Sequence, residues 1–460
     1  MEMDIRTETN TKPPGAVDDP GRANVKASAR MRATVEPDLR RAANGGSIAP
    51  LAVRVVDVDA EPRSLLLRTP NGSPYKGAML IARRGGRAFG TVTVFADADG
   101  RVDASDVASA VRNLPVPAIA ERTVSSRRAT TPRISVVVAT CARTESVIRC
   151  VRSILACEYD GFDVIVVENA PRRSATARAL AESFPGEPAL KYLEEPRVGS
   201  SHTRNTGLAW ATGEIVAFTD DDIVVDRGWL RAIADAFVPG VGCVTGLIMP
   251  LSLDNDVQAM FERFAAFGKG FTRREFSIDD QSIEYNRLLP YAAGHLGSGA
   301  NMAFRTSLAR ELGGFDPVLG PGTPTLGGED IDLLVAVLLN GSKLVYDPAA
   351  LIFHEHPAAD AALRRRTFSY GVGLTAMLAK QLWVGPRMPL VTAIPAGITY
   401  LFEPASRKNL ARGADYPWAF TLLELLGMVL GPIAYVASAV RSLPRMASRR
   451  PPFTTPRRLG

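Results

Sequence analysis

The chain has 460 residues, 46% of them apolar, which is enough for a large core and for more than one domain. Its net charge is +6, but only 22% of the residues are charged and both signs are interspersed. This pattern is not typical of a nucleic-acid-binding protein and favours an anionic membrane or a nucleotide as partner. The four cysteines lack CxxC spacing, and the first twenty residues lack an apolar segment. We therefore expect reduced thiols, no ordinary cleavable signal peptide and a site that faces the cytoplasm.

The N-terminal part of the chain predicts a tail, a small module and a linker. Residues 1–49 are rich in Pro, Gly, Ala, Arg and Thr and lack apolar periodicity, which predicts a disordered tail. Residues 50–115 predict a small α+β module without a catalytic signature. Its strands are expected at residues 51–56, 77–82 and 90–95, its hairpin turn at 84–87 and its helix at 104–113. Residues 116–132 predict a linker.

Residues 133–370 predict an α/β domain, because apolar runs typical of buried strands alternate with helix-spaced apolar residues. The strands are expected at 134–139, 162–167, 191–194 and 215–218, and the helices at 144–156, 175–184 and 201–211. Such alternation predicts a mostly parallel sheet with helices on both faces. Ligands of this fold class bind at the carboxyl ends of the strands.

Polar residues follow three of the expected strands. They are Thr140 with Arg143, Glu168 with Asn169, and the triplet Asp220-Asp221-Asp222. Hard divalent cations take oxygen ligands and combine protein carboxylates with the phosphates of a substrate. The triplet therefore predicts a Mg²⁺ or Mn²⁺ site that binds a nucleotide diphosphate. The alternative is a solvated acidic turn or a helix N-cap.

Over residues 133–370 the sequence resembles the family 2 glycosyltransferases. The resemblance is carried by residues 134–140, by Glu168-Asn169 at the end of the run that begins at Val164, by Gly199 with Arg204-Asn205-Thr206-Gly207, by Thr219 with the Asp triplet, and by Gly328-Glu329-Asp330. It implies the Rossmann-like GT-A fold and the transfer of a sugar from a nucleotide diphosphate sugar to a hydroxyl acceptor. The acceptor could be a glycan, a lipid-linked glycan or a small molecule.

The resemblance also implies a donor site. Its donor-binding residues would be Thr140, Arg143, Glu168, Asn169, Arg204, Asp220 and Asp221, and its metal ligands would be Asp220, Asp222 and His354. Glu168 would accept a hydrogen from the base, but the family usually has Asp there, so the identity of the base stays open. Arg204 would bond the base or the diphosphate, unless it is a surface arginine. Asp221 would contact the ribose or the donor sugar, and His356 is the alternative to His354.

The second acidic motif, 327–332, precedes a run of apolar residues that predicts a helix. Its acids could serve only as an N-cap and first-turn charges. The resemblance implies that Asp330 is the base that deprotonates the acceptor, which gives an inverting single displacement. Asp332 is the second candidate for the base, and Glu329 would steady the acceptor. Gly299 and Asn301, in a glycine-rich loop, are expected on the acceptor side.

Residues 371–460 predict a helical region. A run at 388–402 is apolar over about fifteen residues, and a longer run at 418–440 has Glu424 as its only charge. The longer run could span a membrane, form a hairpin with the earlier run, or lie on the membrane surface. We expect a peripheral or anchored protein on the cytoplasmic side of the cell membrane. The alternatives are a helical packing domain and a cytoplasmic protein.

Two other classes of function remain open. One is a non-catalytic nucleotide-sugar-binding or scaffolding protein of a glycan-assembly complex, which the intact Asp triplet and the Gly328-Glu329-Asp330 motif disfavour. The other is a nucleotidyltransferase, which would need a glycine-rich basic loop after the first strand of the domain. The residues in that place, 140–143, do not form one.

Overall fold

The computed structural model describes residues 49–115, 131–171, 175–265, 267–278, 290–291, 293–384 and 416–446. The predicted tail, apart from its last residue, lies outside the described residues. The same holds for the apolar run 388–402 and for all but the last two residues of the predicted linker. The domain boundaries expected at those places stay predictions.

The N-terminal module has the expected α+β composition. It consists of β1 (Leu51–Asp57), β2 (Leu65–Leu66), β3 (Gly77–Arg84), β4 (Arg87–Phe95), β5 (Arg101–Val102) and α1 (Ala104–Arg112). Strand β3 lies between β1, which is parallel to it, and β4, which is antiparallel. The hairpin between β3 and β4 turns at Gly85 and Gly86, whose φ values of 54° and 78° suit the two-residue turn that the sequence predicted.

The module is attached to the rest of the chain by direct hydrogen bonds. The backbone N–H of Leu51 donates to the carbonyl of Leu253 at 2.8 Å. The Tyr75 hydroxyl donates to Asp254 at 2.7 Å. The side chain of Leu51 also belongs to the core of the larger domain, so the module is packed onto that domain.

A large central sheet lies in the domain expected at residues 133–370. Its strands are β6 (Ile134–Thr140), β7 (Phe162–Asn169), β8 (Leu190–Glu195), β9 (Ile215–Asp220), β10 (Ile223–Val225), β11 (Val241–Pro250), β12 (Arg274–Phe276), β13 (Met302–Arg305) and β14 (Lys343–His354). Their order is β10-β14-β11-β13-β9-β6-β7-β8, and β12 also pairs with β14. Six strands point in one direction, whereas β10, β12 and β13 are antiparallel to their neighbours. The prediction of a mostly parallel sheet is confirmed.

Helices cover both faces of this sheet, as the sequence predicted. They are α2 (Thr144–Leu155), α3 (Thr176–Ser183), α4 (Ser200–Trp210), α5 (Trp229–Ala236), α6 (Asp256–Ala265), α7 (Ala293–Leu296), α8 (Thr306–Glu311) and α9 (Glu329–Leu339). Alternate side chains of a strand point to opposite faces, and Val136 and Val137 of β6 accordingly belong to two separate cores. One core contains Val151 of α2, and the other contains Leu333 of α9.

Two strands in the middle of the sheet were not predicted from the sequence. All ten residues of β11 are buried, so its pattern lacks the apolar–polar alternation that marks a half-exposed strand. The short β13 returns between β11 and β9 and is antiparallel to both. β13 interrupts the parallel direction in the middle of the sheet, and the two strands together separate the first four expected strands from β14.

The C-terminal helices are α10 (Asp360–Val384) and α11 (Trp418–Met446). Their backbones touch at glycines. A Cβ atom on Gly371 would lie 2.1 Å from the carbonyl oxygen of Glu424, and one on Gly427 would lie 2.3 Å from that of Phe368. Small residues at such contacts let two helices approach closely, so the pair forms one packed unit.

Helix α10 also packs against the loop that precedes α9. A Cβ atom on Gly373 would lie 2.8 Å from the carbonyl carbon of Gly327. The Lys380 ammonium pairs with Asp332 at 2.6 Å and with Asp316 at 2.8 Å. The boundary expected between residues 370 and 371 falls inside α10, so this helix joins the α/β domain to the helical region.

The outer face of α11 is apolar and exposed. Large residues recur at helical spacing on this face: Leu422, Leu426, Val429, Ile433, Val436 and Val440, each about half exposed or more. The stretch from Trp418 to Ser442 is long and apolar enough to cross a membrane, and only 17% of its most apolar window is buried. The same length and composition also occur in core helices of soluble proteins.

Candidate active site

The polar residues predicted from the sequence do converge at one sheet edge. Strands β6, β7 and β9 run parallel and end together, with Thr140 opposite Glu168 and Ala139 opposite Asp220. The edge therefore carries the residues that follow all three strands. Their side chains, however, face in different directions.

The middle aspartate of the triplet is buried inside the protein. Oδ2 of Asp221 accepts a hydrogen bond from Thr140 Oγ1 at 2.7 Å, and Oδ1 accepts one from Arg143 Nη1 at 3.1 Å. Burial raises the pKa of Asp221 to about 6, although Thr140 and Arg143 oppose this effect. The expectation that Asp221 contacts the ribose or the donor sugar does not match this placement, because both of its oxygens are bound by protein groups.

The third aspartate faces His354 across two paired strands. Oδ1 of Asp222 lies 3.6 Å from Nε2 of His354, and neither atom has a hydrogen-bond partner among the described residues. The other oxygen of Asp222 accepts a hydrogen bond from Arg143 at 3.0 Å. Burial lowers the pKa of His354 to about 3, and the charge of Arg366 adds to this effect. The lowered pKa favours the neutral imidazole, which carries a hydrogen on one ring nitrogen and a free lone pair on the other.

These two atoms fit the ligand set of a divalent cation. A carboxylate oxygen and a neutral imidazole nitrogen, both buried without a partner, can bind one ion. In the part of the chain that the structure describes, no group of three or more His, Cys, Asp or Glu side chains is arranged to hold a metal. A two-residue site suits Mg²⁺ or Mn²⁺, which complete their shells with water and substrate phosphates.

Arg204 lies between the two acidic motifs and is almost completely buried. Its Nη1 donates to Glu329 Oε1 at 2.6 Å, and its Nη2 donates to Asp220 Oδ1 at 2.9 Å. Burial opposes its charge, but Asp220 and Glu329 raise its pKa above the ordinary value of arginine. Arg204 was expected to bond the base or the diphosphate. In this structure it instead joins the first acidic motif to the second.

Glu329 was expected beside the acceptor, but it points into the protein. Its Oε1 accepts hydrogen bonds from Ser200 Oγ at 2.9 Å and from Arg204. Burial raises the pKa of Glu329, and the Arg204 guanidinium opposes this rise. The side chain therefore fixes the start of α9 against α4, and its contact with an acceptor stays a prediction that this arrangement does not favour.

Asp330 is half-buried, and backbone donors hold its carboxylate. Oδ2 accepts a hydrogen bond from the N–H of Gly299 at 2.7 Å, and Oδ1 accepts one from the N–H of Ile331 at 2.8 Å. A Cβ atom on residue 299 would lie 2.9 Å from Oδ2. Gly299 therefore allows the close approach of its N–H to Asp330, which is a more specific role than the predicted one.

Asp332, the second candidate for the base, is buried and paired elsewhere. It binds the Lys380 ammonium at 2.6 Å and the Gln381 side-chain amide at 2.9 Å, both on α10. Burial raises its pKa, while Lys380 opposes this change. Asp332 therefore fastens α9 to α10, which leaves Asp330 as the half-exposed acid of the motif.

Three further predicted residues have structural contacts. Glu168 is buried and accepts hydrogen bonds from Tyr192 and Thr176, so its contact with a base stays a prediction that this arrangement does not favour. Asn169 bonds the backbone of the 197–199 loop. Asn301 is only 1% exposed and bonds Trp229 Nε1 and two backbone carbonyls of the sheet. The side chain of Asn301 is therefore bonded within the protein, and its acceptor-side role stays a prediction that this burial does not favour.

His356, the alternative to His354, is bonded within the protein, since its Nε2 lies 2.8 Å from Glu262 Oε2.

One residue near this sheet edge was not predicted as part of the site. Arg366 of α10 acts electrostatically on His354, Asp220 and Asp222. The signal in the sequence was the Arg364-Arg365-Arg366 run shortly after His354, of which only one member faces this edge.

The comparison with family models identifies the domain. The model described as glycosyltransferase-like family 2 matches residues 132–370, which is more than half of the chain. The chain belongs to this family. The resemblance and the fold class inferred from the sequence are thereby confirmed.

Individual glycosyltransferases are similar to parts of the chain. It is 30% identical over 199 residues to the pre-mycofactocin glycosyltransferase of Mycobacterium tuberculosis, covering 43% of this chain and 38% of that protein. It is 22% identical over 229 residues to the glucosyl-dolichyl phosphate glucuronosyltransferase of Haloferax volcanii, covering 48% and 69% of the two chains. A mannosyltransferase from Pyrobaculum calidifontis, solved with GDP-Man and Mn²⁺, is 21% identical over 68% of this chain and 88% of its own, with a TM-score of 0.44.

Proposed function

We propose that this family 2 member is a glycosyltransferase that moves a sugar from a nucleotide diphosphate sugar to a hydroxyl group with inversion at the anomeric carbon. The observation that carries the proposal is the arrangement of two acidic centres that a buried arginine, Arg204, connects. Asp222 and His354 offer unpartnered ligand atoms, and Asp330 offers a half-exposed carboxylate held by backbone N–H groups. Arg204 connects the two centres through Asp220 and Glu329.

The donor side is assigned to Asp222 and His354. A Mn²⁺ or Mg²⁺ ion bound by these residues would supply positive charge to the diphosphate of the donor. Asp220 lies at the same edge, but one of its oxygens is paired with Arg204. Asp220 would therefore bind the ion only through Oδ2, its second oxygen. Arg143 pairs with Asp221 and Asp222 through one nitrogen and is more than half exposed, which leaves it free to reorient towards a donor.

The chemical step is assigned to Asp330. Its carboxylate accepts the proton of the acceptor hydroxyl while the acceptor oxygen forms a bond to the anomeric carbon. The bond between that carbon and the diphosphate oxygen breaks, and the nucleoside diphosphate leaves with the electron pair. The N–H groups of Gly299 and Ile331 hold the carboxylate in one orientation, so that its proton-accepting oxygen keeps a fixed position.

The first experiment is a screen of nucleotide sugars for nucleotide release, with Mn²⁺, with Mg²⁺ and with EDTA. The proposal expects one donor class to react only when a divalent cation is present. A nucleotide-sugar-binding protein without turnover would bind a donor and release nothing. Release of pyrophosphate from a nucleoside triphosphate would instead support the nucleotidyltransferase alternative.

We further propose that the apolar face of α11 rests on a membrane surface. The opposite face of α11 is tied to the protein, because Gly427 touches α10 and Ser438 Oγ donates to the carbonyl of Val318 at 2.6 Å. Only the outer face is free to contact lipid, which favours a helix lying in the interface over one that crosses it. Arg441, exposed near the end of this helix, suits an anionic surface.

Vesicle flotation tests the membrane proposal. The wild type should float with phosphatidylcholine vesicles that contain phosphatidylserine, and a Val429→Asp, Ile433→Asp double variant should not. Leu66→Asp is the matched control, because Leu66 is an equally exposed leucine on the N-terminal module. Equal flotation of the double variant and the wild type would reject a lipid contact through α11.

A further inference from the structure

Aromatic rings hold Arg366 near His354, the proposed metal ligand. Its guanidinium carbon lies 5.3 Å from the ring centre of Phe267 and 5.7 Å from that of Phe261. The Phe267 ring in turn packs 5.0 Å from the His354 ring, and the Phe261 ring packs 4.6 Å from His356. Contacts with aromatic faces fix a guanidinium more firmly than they would fix an ammonium group.

This cation faces acids without an ion pair. Burial opposes the charge of Arg366, but Tyr370, Asp222 and Asp220 raise its pKa. Among the residues that the structure describes, no carboxylate oxygen lies within 4.0 Å of the Arg366 guanidinium, whereas Arg143 and Arg204 each pair with two carboxylates. A half-buried cation at a binding edge that lacks an acidic partner is suited to an anionic ligand.

Tyr370 extends this feature towards the second acidic centre. It follows Arg366 by four residues on α10, so the two side chains lie on the same side of the helix. Burial raises the pKa of the Tyr370 hydroxyl, the neighbouring Arg366 lowers it, and Asp330 raises it. The pair is thus coupled electrostatically to Asp220 and Asp222 through Arg366 and to Asp330 through Tyr370.

We propose that Arg366 binds the β-phosphate of the donor and of the departing nucleoside diphosphate, and that Tyr370 orients it. This inference rests on the proposed function. The leaving group gains negative charge as the bond to the sugar breaks, and a prepositioned guanidinium stabilises such charge by paired hydrogen bonds. The β-phosphate adjoins the sugar, and Arg366 is coupled to Asp222 directly and to Tyr370, which in turn is coupled to Asp330.

Calorimetric titration with nucleoside diphosphates and monophosphates tests the inference. The probes are UDP, GDP, CDP, ADP and dTDP with their monophosphates, each in the presence of Mn²⁺. The wild type should prefer the diphosphate of its base, and Arg366→Gln should lose roughly 10- to 100-fold of that preference, the effect expected for a charged hydrogen bond to phosphate. The matched control is Arg365→Gln, an exposed neighbour on the same helix, which should keep the wild-type preference.

The outcomes separate this inference from the proposed function. If the wild type binds none of the diphosphates, the proposed function is overturned. If the wild type prefers a diphosphate and Arg366→Gln keeps the same preference, only the role of Arg366 is overturned. Glutamine retains most of the stem that packs on Phe261 and Phe267. Should that variant fail to fold, Arg366→Lys decides, since a preference lowered at least threefold supports the inference and an unchanged one overturns it.

Discussion

Oδ1 of Asp222 and Nε2 of His354 lie 3.6 Å apart, and neither atom has a hydrogen-bond partner among the described residues. The pairing of β10 with β14 produces this relationship, because Ile223, which follows Asp222, lies opposite His354 in the sheet. Buried polar atoms in proteins nearly always have a partner. A bound cation would provide the missing partner for both atoms at once.

The first prediction concerns this cation. Asp222→Asn removes the charge and should weaken Mn²⁺ binding in the presence of nucleotide by at least tenfold, and His354→Ala should weaken it less because the carboxylate remains. Binding is followed by the electron paramagnetic resonance signal of free Mn²⁺. Asp226→Asn, a change to an acid that pairs with Arg83 away from His354, is the control. Full Mn²⁺ affinity in Asp222→Asn would reject the assignment.

The second prediction concerns Arg143. Its Nη1 lies 3.0 Å from Asp222 Oδ2 and 3.1 Å from Asp221 Oδ1, so it places positive charge beside the proposed ion. Arg143→Ala should therefore raise the affinity for Mn²⁺ without nucleotide by roughly threefold, a modest gain because the side chain is largely exposed to solvent. If Arg143 also contacts the donor, nucleotide affinity should fall in the same variant. Weaker Mn²⁺ binding without nucleotide would contradict the first expectation.

The sequence predicted the convergence of polar residues correctly but not their orientation. Parallel strands place their carboxyl ends at one edge, so Thr140, Glu168 and Asp220 had to meet there once the strands were recognised. Whether a carboxylate points outwards depends on the pleat at the strand end and on partners far away in the chain. Asp221 turned inwards towards Thr140, 81 residues earlier.

The same limit applies to the second acidic motif. Glu329 accepts a hydrogen bond from Arg204, which lies 125 residues earlier. Asp332 accepts one from Lys380, on a helix that was expected to belong to another region. The spacing of acids along α9 shows that they occupy different faces of the helix, but it does not show what each face contacts. β11 escaped prediction because Gly242, Thr245 and Gly246 interrupt its apolar run, and β13 because it has only four residues.

The third prediction concerns the stability provided by Arg204. Arg204→Met leaves the buried Glu329 carboxylate and the Asp220 carboxylate without their cation, which should lower the free energy of unfolding by about 3–5 kcal/mol. Glu329→Gln keeps a hydrogen-bond acceptor and should cost less. Urea denaturation of both single variants and of the double variant measures the coupling. Additive losses would show that the two side chains do not act as a pair.

The fourth prediction concerns Gly299. A Cβ atom there would lie 2.9 Å from Asp330 Oδ2 and 3.0 Å from Asp330 Cβ, so Gly299→Ala has to displace the proposed base. Turnover should fall on the order of 10²-fold, the usual result of moving a reacting group by about 1 Å, while donor binding persists. The neighbouring Ser298→Ala serves as the control. Parent turnover in Gly299→Ala would show that the position of Asp330 is not critical.

The fifth prediction concerns Asp330, which is proposed to remove the proton of the acceptor hydroxyl during sugar transfer. The most direct measurement is the turnover of Asp330→Asn at saturating donor and Mn²⁺, because the amide keeps the shape of the side chain but cannot accept the proton. General-base catalysis predicts a fall of roughly 10²–10⁴-fold, with the affinity for donor and Mn²⁺ unchanged. Sugar transfer by Asp330→Asn at the wild-type rate would contradict the claim.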